Sequence, residues 1–313
     1  MHAVVNRTGE LAWEERPDPE PGDTELLVAV RAAGINGADL AQRRGAYPAP
    51  PGSPADVPGL ELAGEVVATG RQVTRFRAGD RVMAVVGGGG QATMATVDES
   101  HALTVPAGLS WPEAGGFPEV FSTAFDALWS QCGLTVGERV LVTGAAGGVG
   151  TAGVQLAVAA GAHVVASVRN EAQRDAVGGL GAHEVIEPAE VAGFGPYDVV
   201  LELVGAPSLP DALGALRTGG RAVVIGVGGG ASMELNLLQL MGKRARLSGS
   251  TLRARSRAEK AAVATGVAAH VLPLLESGRV RVPVHATVPM AEAGAGYDLF
   301  AAGGKTGKIV LVA

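Results

Sequence analysis

The sequence predicts an α/β protein in which a β-rich segment leads into a doubly wound parallel sheet. Three observations carry that prediction. Apolar runs at residues 140–143, 163–167, 198–202 and 221–226 read as strands buried on both faces. A helical stretch, Ala/Val/Leu-rich as far as Ala160, follows the first of them, and residues 208–216 read as another. Between the first strand and its helix lies a run of small residues, Gly144-Ala145-Ala146-Gly147-Gly148-Val149-Gly150. Continuous apolar strands alternating with helices pair in parallel, because the crossovers cover both sheet faces.

The elements follow in order. Residues 26–30, 64–68 and 81–85 are short apolar runs bounded by Gly and Pro, hence strands. Tyr47-Pro48-Ala49-Pro50-Pro51-Gly52-Ser53-Pro54 is a surface loop by composition. Ser110-Trp111-Pro112-Glu113 is a capping box, in which the hydroxyl and the carboxylate each satisfy a free N–H, so a helix opens there. The rhythm changes near residue 120. Residues 245–250 supply a last sheet strand, Ser256-Arg257-Ala258-Glu259 caps a long helix running towards Leu275, and residues 308–312 form a closing strand. At about 150 residues per domain, 313 residues make roughly two domains.

Composition excludes several classes. With 47% hydrophobic and 18% charged residues the chain buries a core, and its 47 glycines have no collagen period. The net charge of −6 and scattered basic residues leave no stripe for nucleic acid. No run of about 20 apolar residues can span a membrane. Arg7 and Glu10 interrupt any leader, so the expected compartment is the cytoplasm. The single cysteine, Cys132, excludes a disulfide framework and multi-thiolate metal sites, and the 6 histidines fall into no ligand or catalytic spacing.

The glycine run sits between a predicted strand and a predicted helix, where small residues let the backbone approach a pyrophosphate and unpaired N–H groups favour an anion. A dinucleotide site is the expectation, although Ala145 stands where the G-x-G-x-x-G pattern has its first glycine; a bare strand-to-helix turn would have the same composition. The next strand ends Ser167-Val168-Arg169-Asn170, with no carboxylate before Glu171. A hydroxyl and a guanidinium suit a ribose 2′-phosphate, whereas a carboxylate would hold a 2′-hydroxyl. NADPH is therefore expected, unless Arg169 is only a solvated charge.

These residues resemble a known family. Gly34-Ile35-Asn36-Gly37-Ala38-Asp39-Leu40, Pro58-Gly59-Leu60-Glu61-Leu62-Ala63-Gly64, the glycine run and Gly307-Lys308-Ile309-Val310-Leu311 are similar to the quinone oxidoreductase branch of the medium-chain dehydrogenase/reductase superfamily. Residues 38–47, 88–92 and 250–256 resemble its p53-inducible quinone oxidoreductase group. The resemblance implies a GroES-like β-barrel catalytic domain (residues 1–119 and 258–313) with an inserted Rossmann doubly wound sheet (120–257). It further implies an NADPH-dependent homodimer that reduces a small-molecule quinone in the interdomain cleft. Reduction of α,β-unsaturated carbonyls is the alternative, and a non-catalytic NADPH- or RNA-binding role a more distant one.

Zinc-dependent members have a cysteine where Asn36 stands, a histidine where Leu60 stands, and a second cysteine; Glu61 alone persists, and one carboxylate cannot supply about four ligands. No metal is expected. By correspondence, Asn36 and Tyr47 line the substrate pocket, Tyr47 either donating to a quinone oxygen or packing under the proline loop. Asn36 and Asp39 can also cap a turn or helix. The cofactor set is Thr123, Ala146, Gly147, Gly148, Val149, Gly150, Ser167, Arg169, Arg174, Gly226, Val227, Gly228, Ser250, Leu252, Arg253 and Lys308. Some relatives carry an adenosine-contacting tyrosine after the third Rossmann strand. Here Val185-Ile186-Glu187-Pro188 follows, which shifts that task to Arg169 with Arg174.

Overall fold

The computed structural model describes residues 1–313. Strands β1 (His2–Arg7) and β2 (Glu10–Glu15) form a hairpin, followed by β3 (Glu25–Ile35), α1 (Gly37–Arg43), β4 (Glu61–Thr69), β5 (Arg81–Val85), β6 (Met94–Asp98) and β7 (Ala102–Thr104). Helices α2 (Trp111–Gly116) and α3 (Pro118–Phe125) lead into β8 (Arg139–Val142), α4 (Gly148–Ala159), β9 (His163–Ser167), α5 (Arg174–Gly178) and β10 (Glu184–Ile186). Then come β11 (Tyr197–Glu202), α6 (Leu209–Gly214), β12 (Leu216–Val224), α7 (Leu237–Lys243) and β13 (Arg246–Gly249). The chain ends with α8 (Arg257–His270), α9 (Leu272–Glu276), β14 (Val284–Pro289), α10 (Ala293–Ala302) and β15 (Lys308–Val312).

The chain divides into two compact units, one of residues 1–120, 252–276 and 282–313, the other of residues 121–251 and 277–281. Leu252 and Arg253, placed by the sequence in the inserted segment, belong to the first unit. That unit holds a 7-stranded sheet ordered β14-β15-β3-β4-β5-β7, with β6 also on β3. Its core interleaves Leu26, Val28 and Val30 with Leu62, Val66, Val82, Ile309 and Leu311. The C-terminal strand pairs antiparallel with β3, Ile309 opposite Ile35 and Val310 opposite Gly34. That register brings Lys308 to the end of β3, where α1 begins.

The second unit is a 6-stranded parallel sheet ordered β10-β9-β8-β11-β12-β13. Counted within the unit this is the order 3-2-1-4-5-6, with the reversal of strand order between β8 and β11. Both capping boxes form, Ser110 with Glu113 and Ser256 with Glu259. Two expected helices are shorter than the sequence suggests. The run from Ser256 breaks after His270 and restarts at Leu272, beside Pro273, which has no N–H to continue the ladder. The run at 208–216 ends at Gly214 because Leu216 already pairs with Tyr197.

Candidate active site

The glycine run forms a cradle. Gly144 takes a positive φ of 56°, the N–H of Ala145 donates to the Ser167 carbonyl at 3.1 Å, and that of Gly147 returns to the Gly144 carbonyl at 3.0 Å. Helix α4 then starts at Gly148 with glycine as its N-cap and no side chain capping it. The N–H groups of Gly148, Val149 and Gly150 have no preceding helical carbonyl, and they begin a dipole with its positive end here. A Cβ on Gly150 would lie 2.6 Å from both the Ala145 Cα and the Gly144 carbonyl oxygen. Gly153 allows close helix–sheet packing, since a Cβ there would meet Leu201 at 2.5 Å. This donor set fits a pyrophosphate.

Around the cradle, Ser167 is buried at the end of β9, and Arg169 two residues on is exposed, with no carboxylate and no hydrogen-bond partner. Arg174 differs: its guanidinium pairs with Glu187 at 2.7 Å. Past β12, Gly226 must be glycine because a Cβ there would meet the Leu203 carbonyl at 2.5 Å, while Val227 and Gly228 are exposed. Thr123 is buried on α3, and the Ser250 hydroxyl donates to Asp126 at 3.3 Å.

Glu202 carries a function the sequence reading missed. Fully buried at the end of β11, it gathers four donors on one oxygen: the Thr143 and Ser208 hydroxyls and the N–H groups of Val204 and Gly205, at 2.6 to 2.9 Å. Thr143 in turn accepts from the Leu203 N–H at 2.8 Å. The carboxylate thereby ties the ends of β8 and β11 together where the strand order reverses, fixing the floor of the cradle. A glutamate closing the apolar run Val199-Val200-Leu201 was the available signal.

In the first unit, a buried polar cluster surrounds Asn36. The Asn36 amide donates to Glu61 Oε1 at 2.8 Å, and its Oδ1 accepts from the Lys308 ammonium at 2.6 Å. Lys308 is 2% exposed and lies 2.7 Å from Glu61 Oε1 and 3.0 Å from the Ile35 carbonyl, so three acceptors match its three N–H donors. The second Glu61 oxygen accepts from the Glu119 N–H at 2.8 Å. Gly34 leaves room for the pair, since a Cβ there would sit 2.2 Å from Glu61 Oε1. The buried Glu61 carboxylate is thus paired with an ammonium, and nowhere do three His, Cys, Asp or Glu side chains gather to hold a metal.

Asp39 completes the cluster, accepting from the Asn36 N–H at 2.8 Å and the Gly59 N–H at 3.1 Å. Burial pushes its carboxyl up to about 7, against the pull of those N–H groups and of Lys308. An unfolded aspartate titrates near about 3.9. Between these values the folded chain holds a proton that the unfolded chain has released. The Asp39 contribution to stability is therefore complete at low pH and is lost as pH rises through about 7. The amide introduced by Asp39→Asn cannot titrate, so the stability of wild type relative to that variant is expected to fall between about pH 4 and about pH 7 and to level off above that in denaturant unfolding.

Tyr47 is half-buried and its hydroxyl has no protein partner. Burial and the negative charge of Glu119 push its phenol up, and Arg253 opposes them, so it remains a proton-bearing donor at neutral pH. The Arg253 guanidinium lies over the Tyr47 ring, 5.2 Å from its centroid, and donates to the Tyr47 carbonyl at 3.0 Å. Leu252 is buried beside it in sequence. The structure thus unites Asn36 with Lys308, and Tyr47 with Arg253, but does not join the two groups by a hydrogen bond.

Residues 22–123 match the alcohol dehydrogenase GroES-like domain, and residues 148–266 match the domain described as zinc-binding dehydrogenase. A quinone oxidoreductase from Sus scrofa is 31% identical over 94% of this chain and 91% of its own. An acryloyl-coenzyme A reductase from Metallosphaera sedula is 31% identical over 99% of both chains. The solved structure of a mycobacterial protein complexed with NADPH superposes over 100% of both chains, with a TM-score of 0.87 and 26% identity. With a GroES-like domain, a Rossmann sheet and relatives of this kind over almost its full length, the chain is an oxidoreductase that belongs to the quinone oxidoreductase branch of the medium-chain dehydrogenase/reductase family.

Proposed function

We propose that the chain is an NADPH-dependent, metal-independent reductase whose acceptor is a quinone. The observation that supports this reading is the Lys308–Glu61 pair: the buried Glu61 carboxylate already holds an ammonium at 2.7 Å rather than a metal ligand's open position, and Tyr47 offers an unengaged hydroxyl as the hydrogen-bond donor for an acceptor oxygen. When bound, NADPH supplies the hydride. The N–H groups of Gly148, Val149 and Gly150 would hold its pyrophosphate, and Arg169, with Ser167, would hold its 2′-phosphate. Gly226, Val227 and Gly228, with Thr123 and Ser250, complete the nucleotide side. Tyr47 donates to the carbonyl oxygen as negative charge builds on it, which preorganised donors stabilise best. Asn36, held at both ends of its amide, keeps the wall of the site rigid.

A second acceptor class has support of its own, since a relative is an acryloyl-coenzyme A reductase, which acts on an activated alkene. Steady-state turnover with NADPH and either an ortho-naphthoquinone or a 2-alkenal separates the two. The quinone is expected to give the higher kcat/KM, and a chelator to change neither rate. A higher value for the alkenal would reassign the acceptor, and loss of turnover on chelation would overturn the metal-free reading. Arg169→Ala is expected to reduce the preference for NADPH over NADH by about 10- to 100-fold, the scale of a charge-assisted contact of about 1.5–3 kcal/mol. An unchanged preference would remove Arg169 from the site.

The homodimer also has a physical basis. β13 is an edge strand of its sheet, and beside it in sequence α7 exposes Leu237 (62%), Leu238 (79%) and Met241 (69%). Unpaired backbone groups next to exposed apolar side chains suit a two-fold contact with a second copy. The double variant Leu238→Glu/Met241→Glu is expected to sediment as a monomer where wild type sediments as a dimer.

A further inference from the structure

The Arg253 guanidinium is unusual in its surroundings. The residue is 2% exposed, yet no carboxylate lies within ion-pair distance. Its partners are all neutral: Nε donates to the Gly87 carbonyl at 2.7 Å, one terminal nitrogen to the Tyr47 carbonyl at 3.0 Å, and the other to Gln42 Oε1 at 2.6 Å. Gln42 in turn donates to the Ala55 carbonyl at 3.3 Å. Helix α1, the proline loop that follows it and the strand end at 87 thus converge on one side chain that lies more than 160 residues further along. Gly87 permits the approach, because a Cβ there would lie 2.1 Å from the Ser53 hydroxyl. Burying a charge without a counter-charge is costly, so a role in packing alone would be served better by an uncharged side chain.

We propose that Arg253 is the positioning residue of the acceptor side: it clamps the loop that carries Tyr47, and its uncompensated charge keeps that phenol aimed and disposed to donate to the acceptor oxygen. This deepens the reading of Tyr47 given above and rests on it. It also moves Arg253 away from the nucleotide, because every nitrogen of its guanidinium is already engaged within the first unit. The phenol faces two charges, the Arg253 guanidinium and the Glu119 carboxylate. Arg253 in turn feels Asp39 and Glu119, and Lys260 lies near both Glu119 and Arg253.

Two kinds of measurement test this, and only one needs turnover. The chain has 3 tyrosines. Burial pushes Tyr197 up to about 12 and Tyr297 well above the ordinary range, so the first tyrosinate absorbance step on raising the pH reports Tyr47. Gln42→Glu keeps an acceptor on the guanidinium but neutralises its charge; the first step is expected to move to higher pH, and an unmoved step would overturn the electrostatic role. In steady state, Arg253→Met is expected to lower kcat/KM for the acceptor by about 10- to 100-fold, the scale of a lost or misplaced catalytic contact. NADPH affinity, read by nucleotide fluorescence, is expected to change less than about twofold. In a Tyr47→Phe background the same substitution should add little, since the two residues act as one unit.

A loss of NADPH affinity with acceptor kinetics intact would overturn the proposal, as would full additivity with Tyr47→Phe. If Arg253→Met does not fold, Arg253→Lys, which keeps the charge but not the planar fork, is expected to lower acceptor kcat/KM with NADPH affinity unchanged, and the opposite split overturns the proposal. Absence of turnover by wild type would instead count against the functional reading, leaving the tyrosinate step to decide the role of Arg253.

Discussion

Lys308→Met is expected to destabilise the first unit by about 3–5 kcal/mol, the cost of leaving one member of a buried ion pair without its partner. The Lys308 ammonium and the Glu61 carboxylate are 3% and 0% exposed, so water cannot take the place of the missing charge. The Asn36 Oδ1 and the Ile35 carbonyl would lose their donor in the same step. Lys308→Met/Glu61→Gln should recover part of the loss, because it removes the stranded charge. Denaturant unfolding measures both. A loss below about 1 kcal/mol would place the pair among solvent-screened contacts, in disagreement with its burial.

Gly150→Val is expected to weaken NADPH binding by about 100-fold or more. Its Cβ would fall 2.6 Å from backbone atoms of Ala145 and Gly144, so the turn itself has to open. Opening it displaces the N–H groups of Gly148 and Val149 from the phosphate, and losing two hydrogen bonds to a charged group, at about 1.5–3 kcal/mol each, amounts to about 100-fold or more. Gly153→Ala is the control, since its Cβ would press on the Leu201 side chain rather than on the turn. That variant is expected to lose stability by about 1–3 kcal/mol, as overpacking does, with smaller effects on affinity. Fluorescence titration with NADPH distinguishes the two.

The second unit was legible because its information is local. Strands buried on both faces are continuous apolar runs, and the cradle is a short stretch whose glycines answer to a turn. The first unit was less so. Nothing near Lys308 announces that its partners lie 272 residues earlier, at Asn36, and Arg253 meets Gln42 across 211 residues. Family correspondence assigns both side chains to the cofactor, and no local pattern tells a cation that meets a phosphate from one that meets a buried carbonyl. Helix lengths failed for a related reason. Pro273 breaks a run whose capping box is sound, and Leu216 leaves its helix for a strand pairing that no local pattern records.

Metal-free hydride transfer from NADPH is tested most directly by rapid mixing, in which the purified protein, saturated with NADPH or in parallel with NADH, meets an ortho-naphthoquinone with no metal added. Stoichiometric loss of nicotinamide absorbance with NADPH, much slower loss with NADH, and a slowed reaction in Tyr47→Phe are the expected results. No oxidation of either nucleotide, or a rate indifferent to both the nucleotide and Tyr47, would contradict it.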